Sequence, residues 1–416
     1  MSVMYIRGGA PLEGELAVHG AKNSVLPILA ACLLAGGPVT LHNCPRLTDV
    51  TAALNILRHL GCRVAQEGHT ITVDPTGAAG SSVSEEQMRS MRSSIIFLGP
   101  LLARTGEAHL TYPGGCELGP RPIDLHLAAI RAMGCEVSED RGIHCQGRPA
   151  GGEVQLALPS VGATENAILC AVGAKGPTTI TNAAREPEIS DLQSFLNSLG
   201  ADVRGAGSST VTVEGGRALS GGEYTVMGDR IVAATLLSAA AATGGRVRLS
   251  GVDWRHLATV LSVFHQAGCR VESRLEYVEL ARDRDTPLKG VPTIRTAPYP
   301  GFPTDAQAIL MAALLRARGA TVFVENIFEN RYRHVDELCR MGANISVADR
   351  VAVVTGVPEL CGAQVRCTDL RGGAALLVAG LAAQGETEIG HIFHIERGYE
   401  DPVRDLRALG AEIRLE

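Results

Sequence analysis

A chain of 416 residues is too long for one compact core, so two domains are expected. Hydrophobic residues at 45% and charged residues at 20% describe a globule with a large interior, and a net charge of −6 excludes a basic nucleic-acid surface. The longest apolar runs, such as "ILAACLLA" and "ALLVAGLAA", fall short of the ~20 residues that span a bilayer, which excludes a membrane-spanning helix.

The first segment, "MSVMYIRGGAPLEGELAVHG", lacks the basic and apolar regions of a secretory signal. Eleven cysteines show no C-x-x-C pair and no zinc spacing, so no metal site and no cofactor is expected and the chain reads as cytoplasmic. Next comes an apolar helix, "SVLPILAACLLAGGPVTL", running into a strand. An amphipathic helix follows and ends in "LRHLGCRV". That unit recurs six times, with helix ends "LRHLGCRV", "IRAMGCEV", "LNSLGADV", "FHQAGCRV", "LCRMGANI" and "LRALGAEI". Their glycines, Gly61, Gly134, Gly200, Gly268, Gly342 and Gly410, predict helix C-caps followed by strands. Cys62, Cys135 and Cys269 each follow such a glycine and read as small buried hydrophobes.

The six apolar helices carry hydrophobic residues on nearly every face, so they should fill an interior, with strands and amphipathic helices outside them. The sixth unit stops at "EIRLE" without the strand pair that closes the others. The N-terminal "MYIRGGAPLEGELAV" has the missing pattern and should complete it. The predicted architecture is an α/β chain of two three-repeat domains, residues 22–229 and residues 1–21 plus 230–416, with a ligand site in the cleft between them.

The loops carry the candidate chemistry. Asp124, Asp191, Asp336 and Asp401 lie near helix starts and are expected as caps. Arg121, Arg331 and Arg397 precede helices, and they would line a positive cavity if those loops converge. The apolar helices open with Lys22 and Asn23, Arg92, Ser160, Asp305 and Arg371, and helix N-termini attract anions. A substrate bearing phosphate and carboxylate fits that set. Asp305 could be a helix cap or a general base in a cationic site. Cys116, in "TYPGGCELGPRPIDLH", sits between glycines and an Arg-Pro step, where a thiol becomes reactive. No phosphate loop, nucleophile elbow or H-E-x-x-H motif is present.

At "GAKNSVLPILAACLL", "PGGCELGPRPIDLHL", "PSVGATENAILCA", "PGFPTDAQ", "TDLRGGAALLVAGL" and "IERGYEDPVRDLRALGA" the chain resembles the UDP-N-acetylglucosamine 1-carboxyvinyltransferases, the MurA family of enolpyruvyl transferases. The resemblance implies an inside-out α/β barrel of two domains. It also implies transfer of enolpyruvyl from phosphoenolpyruvate to the sugar 3-hydroxyl of UDP-N-acetylglucosamine, the first committed step of peptidoglycan synthesis. By position, Cys116 would donate a proton to phosphoenolpyruvate and form a covalent adduct with it. Lys22, Arg121 and Arg397 would neutralise phosphoenolpyruvate, with Asn23 and Arg371 nearby, and Asp305 would act at the 3-hydroxyl. Arg92, the run Arg121, Pro122, Ile123, Asp124 and Leu125, the segment Leu158, Pro159, Ser160 and Val161, and Ile327 would hold the sugar nucleotide. Leu158 departs from the pattern, since some relatives carry lysine there. The rivals are the sister enzyme acting on shikimate 3-phosphate, a non-catalytic repeat scaffold that binds an anionic partner, and a thiol hydrolase using His126 to activate Cys116.

Overall fold

The structure, a computed structural model, describes residues 2–113 and 123–416. Every repeat closes on the same local geometry. The six glycines all take positive φ, between 84° and 106°, which costs glycine little because it has no Cβ. Around Gly61 the Cys62 N–H donates to Leu57 O at 3.0 Å and the Gly61 N–H to Arg58 O at 3.0 Å. The same two bonds recur at Gly134, Gly200, Gly268, Gly342 and Gly410. This is the Schellman helix ending, in which the residue after the glycine donates to a carbonyl in the last turn of the helix. A small side chain fits there, and Cys62, Cys135 and Cys269 are all buried.

The described residues form six sheets, five of four strands and one of three. One compact unit contains residues 2–19 and 228–416, the other residues 20–113 and 123–227. In the first of these, Met4–Arg7 runs antiparallel between Glu386–Gly390 and Glu412–Leu415, completing the sixth repeat's sheet. Its expected pair partner does not stay with it. Leu12–Ala17 crosses to lie parallel to Gly245–Ser250 in the fourth repeat. Tyr277–Arg282 of the fourth repeat is likewise followed by Thr293–Arg295, which is parallel to Ala320–Val324 in the fifth. Val351–Thr355 of the fifth is followed by Gln364–Arg366, parallel to Glu386–Gly390 in the sixth. Each repeat thus lends one strand to the next and the ring closes. The other unit repeats the exchange through Gly152–Gln155 and Gly222–Thr225. Its middle sheet receives a single parallel bridge, Ser82 to His109, in place of a strand.

The apolar helices are α1 (Lys22–Ala31), α2 (Leu98–Thr105), α3 (Val161–Val172), α4 (Arg230–Thr243), α5 (Thr304–Ala313) and α6 (Leu370–Ala382). All residues of α4 are buried, and α4, α5 and α6 pack pairwise against one another. In the other unit α2 packs against α3 and against the 3-10 turn that continues α1. The second apolar stretch is not one helix. Arg92–Phe97 winds as a 3-10 turn, and α2 starts so that Pro100 falls in its first turn, where a missing N–H is tolerated. The buried Asn166 of α3 fills the break. Its amide oxygen accepts Gly99 N–H at 2.8 Å and its NH2 donates to Ile95 O at 2.9 Å.

Candidate active site

In the unit of residues 20–113 and 123–227, Lys22 is the first residue of α1. Its Nζ lies 2.7 Å from Asp49 Oδ2, and the two side chains are only 12% and 3% exposed. Asn23 follows it, half-buried. Asp191 was expected as a cap, yet it is the fifth residue of Pro187–Ser198 and half-buried. Its carboxylate accepts the Ser24 hydroxyl, the Tyr224 hydroxyl at 2.6 Å and the Met227 N–H at 3.3 Å. Burial raises its pKa against those bonds. Asp401 does cap its helix, accepting Arg404 N–H, whereas Asp124 and Asp336 lie inside first turns.

Arg92 opens the 3-10 turn and is half-buried. Ile123 and Leu125 are half-buried and Asp124 is exposed at the start of the helix Asp124–Ala132. His126 is buried and takes the Asn166 NH2 on Nδ1 at 2.7 Å. Burial lowers its pKa to about 4, so near neutral pH it is an uncharged acceptor that ties this helix to α3. Leu158 is 67% exposed, Pro159 is half-buried, and Ser160 caps α3 by accepting Ala163 N–H at 3.4 Å, with Val161 next. Cys116, Arg121 and Pro122 lie outside the described residues.

The unit of residues 2–19 and 228–416 gathers its charge around one carboxylate. Asp305, in the first turn of α5, receives Arg331 Nη2 on Oδ1 at 3.0 Å and Arg371 Nη2 on Oδ2 at 3.0 Å. Asp305 is 29% exposed while the two guanidinium groups are 2% and 4% exposed, so the acid faces outward and its anchors lie behind it. Arg331 also donates to Thr304 O at 2.9 Å. Burial opposes the Arg371 charge, but Asp305, Tyr399 and Asp229 more than offset this and its pKa is raised. Tyr399, buried, bonds Thr235 Oγ1 at 2.7 Å and accepts Arg371 Nη1 at 3.4 Å. Arg397 ends the turn Ile392–Arg397, two residues before Tyr399, and is half-buried. Ile327 is 38% exposed.

Each carboxylate oxygen has two acceptor sites, so Asp305 can hold both arginines and still accept a hydroxyl hydrogen from a bound alcohol. Lys22 supplies one nearly buried cation for an anion. Among the described residues, no group of three His, Cys, Asp or Glu side chains could hold a metal ion, and no helix is long and apolar enough to cross a membrane. The sequence notes Asp49 only as an acid close to Arg46, and it does not single out Tyr224, Asn166 or Tyr399. The one local signal for Tyr399 is that it follows Arg397 by two residues.

This is the fold of the enolpyruvyl transferases. The family model described as EPSP synthase (3-phosphoshikimate 1-carboxyvinyltransferase) matches residues 6–406. The enolpyruvyl transferase NikO from Streptomyces tendae superposes with a TM-score of 0.89 at 27% identity, covering 100% of this chain and 98% of that one. EPSP synthase from Acinetobacter baumannii shares the fold, with a TM-score of 0.77 at 20% identity and 100% of both chains covered.

Curated relatives narrow the class. UDP-N-acetylglucosamine 1-carboxyvinyltransferase 2 of Caldanaerobacter subterraneus is 47% identical over 99% of both chains. UDP-N-acetylglucosamine 1-carboxyvinyltransferase of Rhodospirillum centenum is 44% identical over 99% of this chain and 98% of its own. The chain belongs to the UDP-N-acetylglucosamine 1-carboxyvinyltransferase family.

Proposed function

We propose that this protein transfers the enolpyruvyl group of phosphoenolpyruvate to the 3-hydroxyl of UDP-N-acetylglucosamine, with release of phosphate, in the cytoplasm. The observation that carries the reading is identity of 44–47% along nearly the whole chain to relatives bearing that activity as their name. The outward carboxylate of Asp305, anchored by two buried arginines, supports it by supplying an acceptor for a hydroxyl proton.

In this reading Cys116 gives a proton to the methylene carbon of phosphoenolpyruvate, which makes the neighbouring carbon electrophilic. The sugar oxygen bonds to that carbon as its proton passes to Asp305. The tetrahedral adduct then loses a proton from the new methyl group, its carbon–oxygen bond to phosphate breaks, and phosphate leaves. Lys22, Arg121 and Arg397, with Asn23 nearby, balance the phosphate and carboxylate charges. Arg92, Arg121 to Leu125, Leu158 to Val161 and Ile327 hold the nucleotide.

Phosphate release from phosphoenolpyruvate should require UDP-N-acetylglucosamine. Release with shikimate 3-phosphate instead would select the sister activity, and release with neither would remove the enzyme reading. An epoxide mimic of phosphoenolpyruvate should alkylate Cys116 ahead of the exposed Cys339 and Cys361, as mass spectrometry of digested protein would show.

A further inference from the structure

Glu325 directly follows the strand Ala320–Val324 and has no exposed surface. Its Oε1 accepts the Ile327 N–H at 2.8 Å and the Phe328 N–H at 3.0 Å. The Thr304 hydroxyl reaches both of its oxygens, at 3.1 and 3.0 Å. Its described partners are therefore all neutral donors. A buried carboxyl group must have its hydrogen bonds met, and here they are met by the start of one helix and by one turn.

The geometry is specific. Thr304 adjoins Asp305 at the start of α5, and its carbonyl is held by Arg331, which also anchors Asp305. The Phe328 ring lies 5.5 Å from the Arg331 guanidinium. One carboxylate thus pins the start of α5 from one side and the Ile327–Phe328 turn from the other, and Arg331 closes the circuit. We infer that Glu325 is a positioning residue for the sugar-nucleotide acceptor, setting the distance between the Asp305 carboxylate and the Ile327 turn. It leaves phosphoenolpyruvate binding untouched, because it bonds neither Lys22 nor Arg397. The inference rests on the proposed function, which assigns Asp305 and Ile327 to the acceptor.

The test uses the full chain and three variants: Glu325→Gln, Thr304→Val and the pair. Calorimetry gives the dissociation constant for UDP-N-acetylglucosamine, and steady-state assays give KM for phosphoenolpyruvate. Glu325→Gln should weaken acceptor binding about ten-fold, equivalent to about 1.4 kcal/mol, with KM for phosphoenolpyruvate held within about two-fold. Thr304→Val should shift acceptor binding in the same direction by less, and the pair should match Glu325→Gln alone, since both remove one shared contact. If Glu325→Gln does not fold, Thr304→Val keeps the carboxylate and carries the test. Unchanged acceptor binding, or both constants rising together, would overturn the inference. Unmodified protein that binds no UDP-N-acetylglucosamine would overturn the functional reading itself.

Discussion

The two units share one plan and use charge in opposite ways. In the unit of residues 2–19 and 228–416, two buried arginines sit behind an acid that faces outward, Asp305. In the other, a nearly buried lysine is matched by a fully buried acid, Asp49. Where the acid can still reach water, loss of a partner can be answered by hydration. Where it cannot, the loss falls on folding. The same helix N-terminus therefore carries an outward acid in one unit and a held cation in the other.

The largest expected effect separates these cases. Lys22→Met removes the cation 2.7 Å from the buried Asp49 and should cost about 3–5 kcal/mol in denaturant unfolding. Arg371→Met should cost less, about 1–3 kcal/mol, because Asp305 keeps Arg331 and solvent. Adding Asp49→Asn to Lys22→Met should restore much of the stability but none of the turnover; recovery of both would assign Lys22 to folding alone.

A second prediction treats the units alike. Each buries one histidine whose pKa burial lowers from 6.5 to about 4, His126 in one and His334 in the other. Below about pH 6.5 the unfolded chain binds those protons and the folded chain does not. Stability present above that pH should thus be lost as pH falls toward about 4, by up to ~3 kcal/mol per residue. Thermal scans across this window should flatten in His334→Asn, and an unchanged slope would contradict the assignment. The smallest effect belongs to Tyr399→Phe, which removes the hydroxyl shared by Thr235 and Arg371. It should cost about 1 kcal/mol, with a modest loss of turnover in the same preparation.

What the sequence disclosed was local. The glycine that ends each outer helix and the small residue after it belong to a motif a few residues long, so six repeats could be counted directly. The all-round apolar helices announced their burial in the same way. The strand exchange was hidden, because Met4–Arg7 and Leu12–Ala17 look like a hairpin and only pairing with distant strands parts them. The polar networks were hidden for a related reason: Ser24 meets Asp191 across 167 residues and His126 meets Asn166 across 40. Asp191 looked like a cap because its loop carried an arginine and a helix start, and tertiary packing drew it inward.

The most direct measurement is the identity of the product. After incubation with phosphoenolpyruvate carrying labelled carbon, mass spectrometry of UDP-N-acetylglucosamine should show the mass of one enolpyruvyl group, with fragments placing it on the sugar 3-oxygen. Labelled carbon on another hydroxyl, or on shikimate 3-phosphate in preference, would contradict the account.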